Sequence, residues 1–528
     1  MHRNKVMVIV PPNSNTVIDG RLLTVTRPEE HSDWSDFLCL GALSLVSALK
    51  ANPNLDPVYV DGTIIDLDDL LGYISDNTGQ LLAVCLGVLT ANYEAGLIIA
   101  RHAKSADARI TTIVGNDHFS SLATECMNAV PCLDYGFVGN EIIGSFIEFV
   151  TALYDKVDLD PGAFSGLVYR DGGQVRITTP RREPVFAGYD YTLADRVFQH
   201  TSQYTRFFGR RIAPRIRELL GRTVTAGVPV EIGRGCVKFA ASDACSFCSI
   251  QPGHLWRNQL TAEQAWDAIA NAWNSGYDYV YLTADELPLT FAQLLTGMAA
   301  SLPDWWRSLT PDERPVMVGY GRADGIADPR RTALLSSLGV RQIMIGMDAG
   351  APLSLAAMNK PVGGRHRNVL VEAEKLYELN SRAITVARDH GMLIRAGFVV
   401  GHIGMTAALL EENLQRILAL ITEGGKNGVF SAIDVEVLSP QPGARDYAYL
   451  TEPDTAKAAA NRLGLEIADD NVRSEIAARW SGQDVVMPED AMRDYTLAVM
   501  PELDFDALSR TRATIRAHAK TCGVVIGE

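Results

Sequence analysis

Three cysteines carry the most specific chemistry in this chain. They stand in Gly233-Arg-Gly-Cys236 and, after eight intervening residues, in Cys245-Ser-Phe-Cys248. The stretch Val228–Ile232 just before them reads as a buried strand, which places the thiols on a loop at its carboxyl end. Structural zinc takes four ligands, commonly from two paired knuckles. Only one close pair exists here, with His254 six residues beyond Cys248 as an available fourth ligand. Three thiolates alone suit an iron–sulfur cluster that leaves one iron open to a small molecule. Unliganded cysteines are the third reading. The remaining five, Cys39, Cys85, Cys126, Cys132 and Cys522, are scattered singly and read as packing residues.

Charged residues recur at the ends of the following strand candidates. Asp285 and Glu286 come after Tyr277–Leu282, Arg322 and Asp324 after Val316–Gly321, and Asp348 after Gln342–Gly346. Taken singly, each reads as well as a salt bridge at a barrel mouth. As a series at successive strand ends they suggest recognition of a charged small molecule.

Two alternating strand–helix runs must position these residues. The first has strand candidates Val6–Val10, Pro57–Val60, Leu81–Leu86, Ile110–Val114 and Tyr135–Val138, separated by helical stretches Leu40–Lys50, Tyr93–Lys104, Phe119–Asn128 and Ile142–Leu153. Near-continuous apolar strands alternating with helices predict a parallel sheet buried on both faces, here a doubly wound α/β domain over residues 1–155. Residues 156–222 read as a connection. It holds a hairpin turning at Asp171-Gly172-Gly173 and a basic stretch, Arg206 to Arg217, taken either as a solvated helix or as a surface facing an anion. In residues 223–445 six strands, the last two Ile394–Val400 and Ala432–Leu438, alternate with helices such as Ala262–Ser275, Pro329–Leu338, Val369–His390 and Ala407–Thr422. That pattern predicts a partial (β/α)6 barrel with its working face at the carboxyl ends of the strands. Residues 446–528 read as a small helical domain that, with Trp480 and Tyr495, is expected to cap the barrel and shape the pocket.

Composition agrees with a soluble protein of roughly three domains. Of 528 residues, 47% are hydrophobic and 21% charged, with net charge −15. An excess of acidic over basic residues argues against a broad nucleic-acid surface, because phosphate affinity is largely electrostatic. No apolar run is long enough to span a membrane, and the start lacks an export pattern. Eight cysteines without an export pattern imply reduced thiols and a cytoplasmic setting.

From Val6 to Pro442 the chain resembles the radical S-adenosylmethionine enzymes that carry an N-terminal cobalamin-binding domain. The resemblance rests on Arg-Gly-Cys236, Cys245-Ser-Phe-Cys248, Thr283-Ala-Asp285-Glu286, Gly321-Arg322-Ala-Asp324, Ile345-Gly346-Met-Asp348-Ala-Gly350, Met358-Asn-Lys360, Gly397-Phe-Val-Val-Gly401 and Ser439-Pro-Gln-Pro-Gly443, all in the family's order. Two departures stand out: the family usually spaces its first two cysteines by three residues, and it carries glutamate where Asp348 stands. In the first domain Thr90-Ala-Asn92, Gly115-Asn116 and Gly139-Asn140-Glu141 resemble the family's cobalamin loops, with Asn116 and Asn140 replacing usual residues.

The resemblance implies roles. Cys236, Cys245 and Cys248 would ligate a 4Fe–4S cluster whose open iron holds S-adenosylmethionine. Phe247 would flank the adenine, Asp285 or Glu286 the methionyl ammonium, Arg322 the carboxylate and Asp348 the ribose. Thr90, Asn92, Gly115, Asn116, Gly139 and Glu141 would line cobalamin, with no histidine on the cobalt and His118 capping a strand end. The implied activity is C-methylation of an unactivated carbon, through a 5′-deoxyadenosyl radical and methylcobalamin. Alternatives are rearrangement, ring contraction or cyclisation, and a vestigial cobalamin domain; a zinc- or iron-binding scaffold is the non-enzymatic one. Implied partners are a small-molecule or peptide substrate and an electron donor such as flavodoxin or ferredoxin.

Overall fold

The structure, a computed structural model, describes residues 3–13, 17–18, 21–22, 37–139, 141–157, 159–238, 244–249, 258–361 and 368–527. Asn140 and His254 lie outside them. All five strands expected in the first run are present: β1 Lys5–Val10, β2 Asp56–Asp61, β3 Leu81–Gly87, β4 Thr111–Gly115 and β5 Tyr135–Phe137. They run parallel in the order β2-β1-β3-β4-β5. Val6, Met7 and Ile9 of β1 are fully buried, as apolar residues flanked by helices on both faces must be. Strand order reverses between β1 and β3, and such a switch point opens a crevice beyond the carboxyl ends.

The hairpin forms as β6 Leu167–Asp171 and β7 Gln174–Ile177, with Asp171 opposite Gln174. Gly172 and Gly173 make the turn at φ 55° and 84°, the backbone that a two-residue loop of this twist requires. It adds two antiparallel strands to the edge of the first sheet.

Two local differences from expectation have physical causes. The helix expected over Phe119–Asn128 is broken at Leu122 into Asp117–Ser121 and Ala123–Ala129. The tip of the Phe119 ring packs against β5, where a Cβ on Gly136 would sit 2.1 Å from it, so the ring's position rather than helical continuity prevails. A helix at Leu67–Asp76 lies outside the expected elements because Gly72 and three aspartates dilute its pattern; Leu67, Leu70 and Ile74 form its buried stripe, and Asp66 caps it through Asp68 N.

The second sheet contains the six expected strands, β8 Gly227–Glu231, β9 Tyr279–Thr283, β10 Val316–Gly321, β11 Val340–Asp348, β12 Leu393–Val400 and β13 Phe430–Val437. They are parallel and in chain order. A two-residue strand, β14 Val525–Ile526, pairs onto β13 from the far end of the chain. The basic helices His200–Arg211 and Ala213–Leu220 lie toward the amino ends of this sheet, where Arg215 Nε donates to Ser431 O at 3.2 Å.

The closing segment is helical, with helices at Arg445–Thr451, Pro453–Leu463, Asp470–Trp480, Pro488–Val499 and Phe505–Thr521. Trp480 and Tyr495 do not shape a pocket. Both are buried within this helical unit, the indole donating to Asp494 Oδ2 at 2.8 Å and the phenol to Asp446 Oδ1 at 2.6 Å. Among the described residues no helix is long and apolar enough to cross a membrane.

Candidate functional site

The carboxyl edges of the two sheets meet across a cavity of about 460 Å³. The first sheet contributes Val10, Gly87, Gly115 and Gly139, with Gly41 from the helix Leu40–Leu49; the second contributes Glu231, Arg234, Thr283 and Asp285. Several of these glycines are not demanded by the protein's own packing. A Cβ on Gly41 would meet nothing within 4 Å, and one on Gly87 only Ile9 O at 3.8 Å. Gly115 has Phe137 O at 3.4 Å, a contact that the backbone tolerates. The space a side chain would take there belongs to the cavity. Glycine at these positions keeps one wall flat and backbone-lined, as a large planar ligand requires.

The other residues expected around this cavity divide. Asn116 lines it, at φ 79°, capping the helix that begins at Asp117. Thr90 and Asn92 do not line it. Asn92 is buried and braces the switch point, accepting from Leu89 N at 2.6 Å and donating to Pro11 O at 3.2 Å. Glu141 bridges the two halves of the chain, accepting from Asn258 Nδ2 at 3.0 Å and Glu183 N at 3.3 Å. His118 is 1% exposed, and its Nε2 donates to Asp484 O at 2.8 Å. Its Nδ1 faces Thr90 Oγ1 at 3.2 Å. Burial pushes its pKa down to about 4, so this histidine stays neutral and engaged on both nitrogens.

The cysteine loop is held from several sides. Gly235, at φ 112°, donates its N–H to Asp285 Oδ2 at 2.5 Å and turns the chain into Cys236. The Lys238 ammonium donates to Asn359 O, and to Pro361 O at 2.8 Å. Asn359 Nδ2 donates to Ala244 O at 2.8 Å, and Ser246 N to Met358 O at 2.9 Å. Asp446 N donates to Ser246 O at 2.9 Å. Gly443 approaches so closely that a Cβ there would lie 2.5 Å from Ser121 Oγ. Residues 239–243, inside the eight-residue gap, lie outside the described residues.

Cys236 and Cys245 both lie within electrostatic reach of Arg322. Burial pushes the Cys236 thiol up, while the Lys238 N–H and the Arg322 guanidinium oppose it. Among the described residues no group of three His, Cys, Asp or Glu side chains is gathered closely enough to hold a metal ion. Cys236 and Cys245 are brought beside Arg322, and Cys245 also beside Lys360, rather than to one point.

The charged residues are largely engaged with one another. Arg322, 5% exposed, donates from Nε to Asp324 Oδ1 at 3.0 Å and from Nη2 to Lys360 O at 3.0 Å. Asp348, at φ 59°, is ion-paired with the buried Lys360 ammonium. Burial pulls Lys360 down, but the Asp348 carboxylate and the Cys245 thiol outweigh it and keep the ammonium charged. That ammonium also lies 5.9 Å from the centre of the Phe247 ring, which packs with Met358 and Leu355. Glu286 caps a turn, accepting from Thr290 N at 2.7 Å, Thr290 Oγ1 at 2.8 Å and Leu289 N at 3.1 Å. Asp285 is the carboxylate of this pair that opens into the cavity, and burial pushes its pKa up.

Lys360 and Asp446 are the residues whose roles the sequence leaves unmarked. Lys360 lies in a quoted motif, but nothing local reveals its contact with Asp348. Burial pushes the Asp446 carboxyl from 3.8 up to about 6. The folded chain therefore keeps a proton that the unfolded chain releases. The stability this confers is full below pH about 4 and is lost as pH rises through about 6. An Asp446→Asn variant keeps the shape without titrating. Denaturant melts should show wild type losing roughly 2–3 kcal/mol relative to this variant between pH 4 and 7. A constant difference across that window would contradict the buried, protonated carboxyl.

No family model matches the chain. It is similar to the anaerobic magnesium-protoporphyrin IX monomethyl ester cyclase of Rubrivivax gelatinosus, 23% identical over 379 residues that cover 70% of this chain and 60% of that protein. The chain thus spans less than two thirds of that relative. Among solved structures it superposes on the radical S-adenosylmethionine methyltransferase TsrM from Kitasatospora setae with cobalamin and a 4Fe–4S cluster bound, at TM-score 0.62, 14% identity, 97% of this chain and 91% of that one. It also superposes on the cobalamin-dependent S-adenosylmethionine radical enzyme OxsB with aqua-cobalamin and S-adenosylmethionine bound, at TM-score 0.54, 17% identity, 79% of this chain and 52% of that one. The neighbours are thus the enzymes the sequence resembles, and the shared property at these identities is an α/β fold with parallel sheets.

Proposed function

We propose that this chain is a cobalamin-dependent radical S-adenosylmethionine enzyme that methylates an unactivated carbon of a small molecule. The observation that carries the reading is the cavity between the two carboxyl edges, walled by Gly41, Gly87 and Gly115 and facing Asp285. A flat wall that side chains would fill fits a corrin, and a thiol donor set flanked by cations fits an anionic iron–sulfur cluster. Bound together, the three cofactors supply a one-electron cleavage of S-adenosylmethionine and a methyl donor.

The chain's own residues bind, orient and exclude water. Cys236, Cys245 and Cys248 hold the cluster, with Arg322 and Lys360 balancing its charge. Phe247 offers an apolar face to the adenine. Asp285 offers a carboxylate to the methionyl ammonium, while Glu286 shapes the turn behind it. Arg322 and Asp348, each with a partner in hand, present the unused sides of their ion pairs to the carboxylate and the ribose. Gly115, Asn116 and Gly139 support the corrin; Thr90, Asn92 and Glu141 brace its loops. His118 is kept from the cobalt by its bonds to Asp484 and Thr90. Reducing equivalents come from a small redox protein such as flavodoxin or ferredoxin.

The similarity to a cyclase favours one second reading, a ring-forming reaction with the same cofactors. Product analysis separates them. Reduced anaerobically with S-adenosylmethionine and substrate, a methyltransferase forms both 5′-deoxyadenosine and S-adenosylhomocysteine. 5′-Deoxyadenosine without S-adenosylhomocysteine would sink methyl transfer and leave the cyclase reading.

A further inference from the structure

The charged groups that line the glycine-walled cavity are unequal in sign. Asp117, Glu231 and Asp285 bring carboxylates, and Arg234 brings the one guanidinium among the described lining residues. Arg234 stands two residues before Cys236. Its backbone is fixed on both sides. Gly233 and Arg234 pair with Gln259 and Asn258, and a Cβ on Gly233 would lie 2.5 Å from the Phe291 ring.

The guanidinium is only partly engaged. Its Nε donates to Glu231 Oε1, and its Nη2 donates to Glu231 Oε2 at 3.1 Å. Glu231 is 6% exposed and also accepts from the Tyr189 hydroxyl at 3.1 Å. Burial pulls the Arg234 guanidinium down, but the Glu231 carboxylate outweighs it and keeps the group charged. Nη1 donates to no atom of the described residues, and 21% of the side chain stays open. The pair is therefore neutral as a unit, held in place, and keeps its Nη1 donors for a ligand in the cavity. Asp117 and Asp285 lie within electrostatic reach of each other. Burial pushes both carboxyls up, and Asp285 adds to the rise at Asp117. A further negative charge in this cavity would work against both, with little water to screen it.

We propose that Arg234, paired with Glu231, holds an amide oxygen of the macrocycle's rim through Nη1 and selects rings with neutral amide rims over rings with carboxylate rims. The inference rests on the reading of this cavity as a corrin site, and it adds which planar ring the cavity accepts. A corrin bearing amides and a tetrapyrrole bearing propionates are both flat, so the glycine wall alone does not separate them. Charge does. An amide oxygen accepts from Nη1 and brings no charge with it. A carboxylate rim meets a guanidinium that Glu231 already neutralises, and it faces Asp117 and Asp285 as well.

Cobinamide and cobyrinic acid share the corrin ring and cobalt and differ chiefly in a rim of amides against a rim of carboxylates. In equilibrium dialysis against the full iron-reconstituted chain at neutral pH, cobinamide should bind at least roughly tenfold tighter than cobyrinic acid. Glu231→Gln leaves the Arg234 charge unpaired and should narrow that ratio at least roughly tenfold by raising the affinity for cobyrinic acid. The double variant Glu231→Gln, Arg234→Met has no unpaired charge at this point but lacks Nη1. It should bind cobinamide at least roughly tenfold more weakly than wild type, with its iron content unchanged. The wild-type ratio and Glu231→Gln decide the matter without it if it fails to fold. Equal affinities of wild type for the two corrins, an unmoved ratio in Glu231→Gln, or full cobinamide affinity in the double variant would each overturn the role of Arg234, while retained hydroxocobalamin would leave the functional reading standing. Wild type that retains no hydroxocobalamin would fail the functional reading, and this inference with it.

Discussion

Cys245→Ala should leave a folded chain that cannot keep iron. After anaerobic reconstitution with iron and sulfide, wild type is expected to hold about four irons and to absorb broadly near ~400 nm. The variant should hold less than about one, and its turnover should fall at least ~1000-fold, equivalent to about 4 kcal/mol. The reason is local. Cys245 faces both Arg322 and Lys360, and those buried cations are held charged in part by its thiol. The side chain is only half-buried, so its loss should change stability by less than about 1 kcal/mol. Cys126 is the control. It is fully buried in the helix Ala123–Ala129, far from this loop in sequence. Cys126→Ala should lower stability by about 1 kcal/mol through the cavity it leaves and keep the full iron content. Retained iron and turnover in Cys245→Ala would refute the assignment of this loop.

The second large effect is expected at a residue that touches no charge. Gly41 sits in the first turn of the helix Leu40–Leu49, where glycine lowers helix stability, yet no protein atom crowds it. Gly41→Leu should therefore hold or raise stability, by up to ~1 kcal/mol. The same leucine fills the glycine-walled cavity, and corrin affinity should fall at least tenfold, about 1.4 kcal/mol, with iron content unchanged. Hydroxocobalamin retention after desalting reads the first, a thermal melt the second. A variant that keeps its corrin would show that this wall is not a corrin face. Because the two readouts move oppositely, misfolding cannot imitate the result.

Most of the architecture was legible because it is written locally. Short apolar strands such as Lys5–Val10 and Leu81–Gly87 stand out between amphipathic helices, and all eleven parallel strands expected in the two sheets formed. What escaped is what depends on distant partners. β14 is two residues long and exists by pairing with Ala432 and Ile433. Trp480 and Tyr495 looked like pocket aromatics by type, but their polar atoms face Asp494 and Asp446 inside a helical unit.

The site divides the same way. The cysteines, Asp285, Arg322 and Asp348 could be picked out by their place after successive strands. How they are engaged could not. Glu286 differs from its neighbour Asp285 only by one position, yet it turns inward to cap Thr290 while Asp285 opens to the cavity. Lys360 meets Asp348, and Lys238 reaches Asn359, contacts that no spacing in the chain foretells. Arg395 on β12 and Asp434 on β13 are 39 residues apart in sequence, and only the sheet register brings them together as an ion pair.

The central claim is that one chain carries a cluster loop and a corrin wall facing each other across one cavity. The most direct measurement is a cofactor count on a single sample. The full chain is reconstituted anaerobically with iron, sulfide and hydroxocobalamin, desalted, and assayed for metals and corrin. The account predicts about four irons and one corrin per chain in the same sample. One zinc per chain with no chromophore, or a cluster without retained corrin, would contradict it.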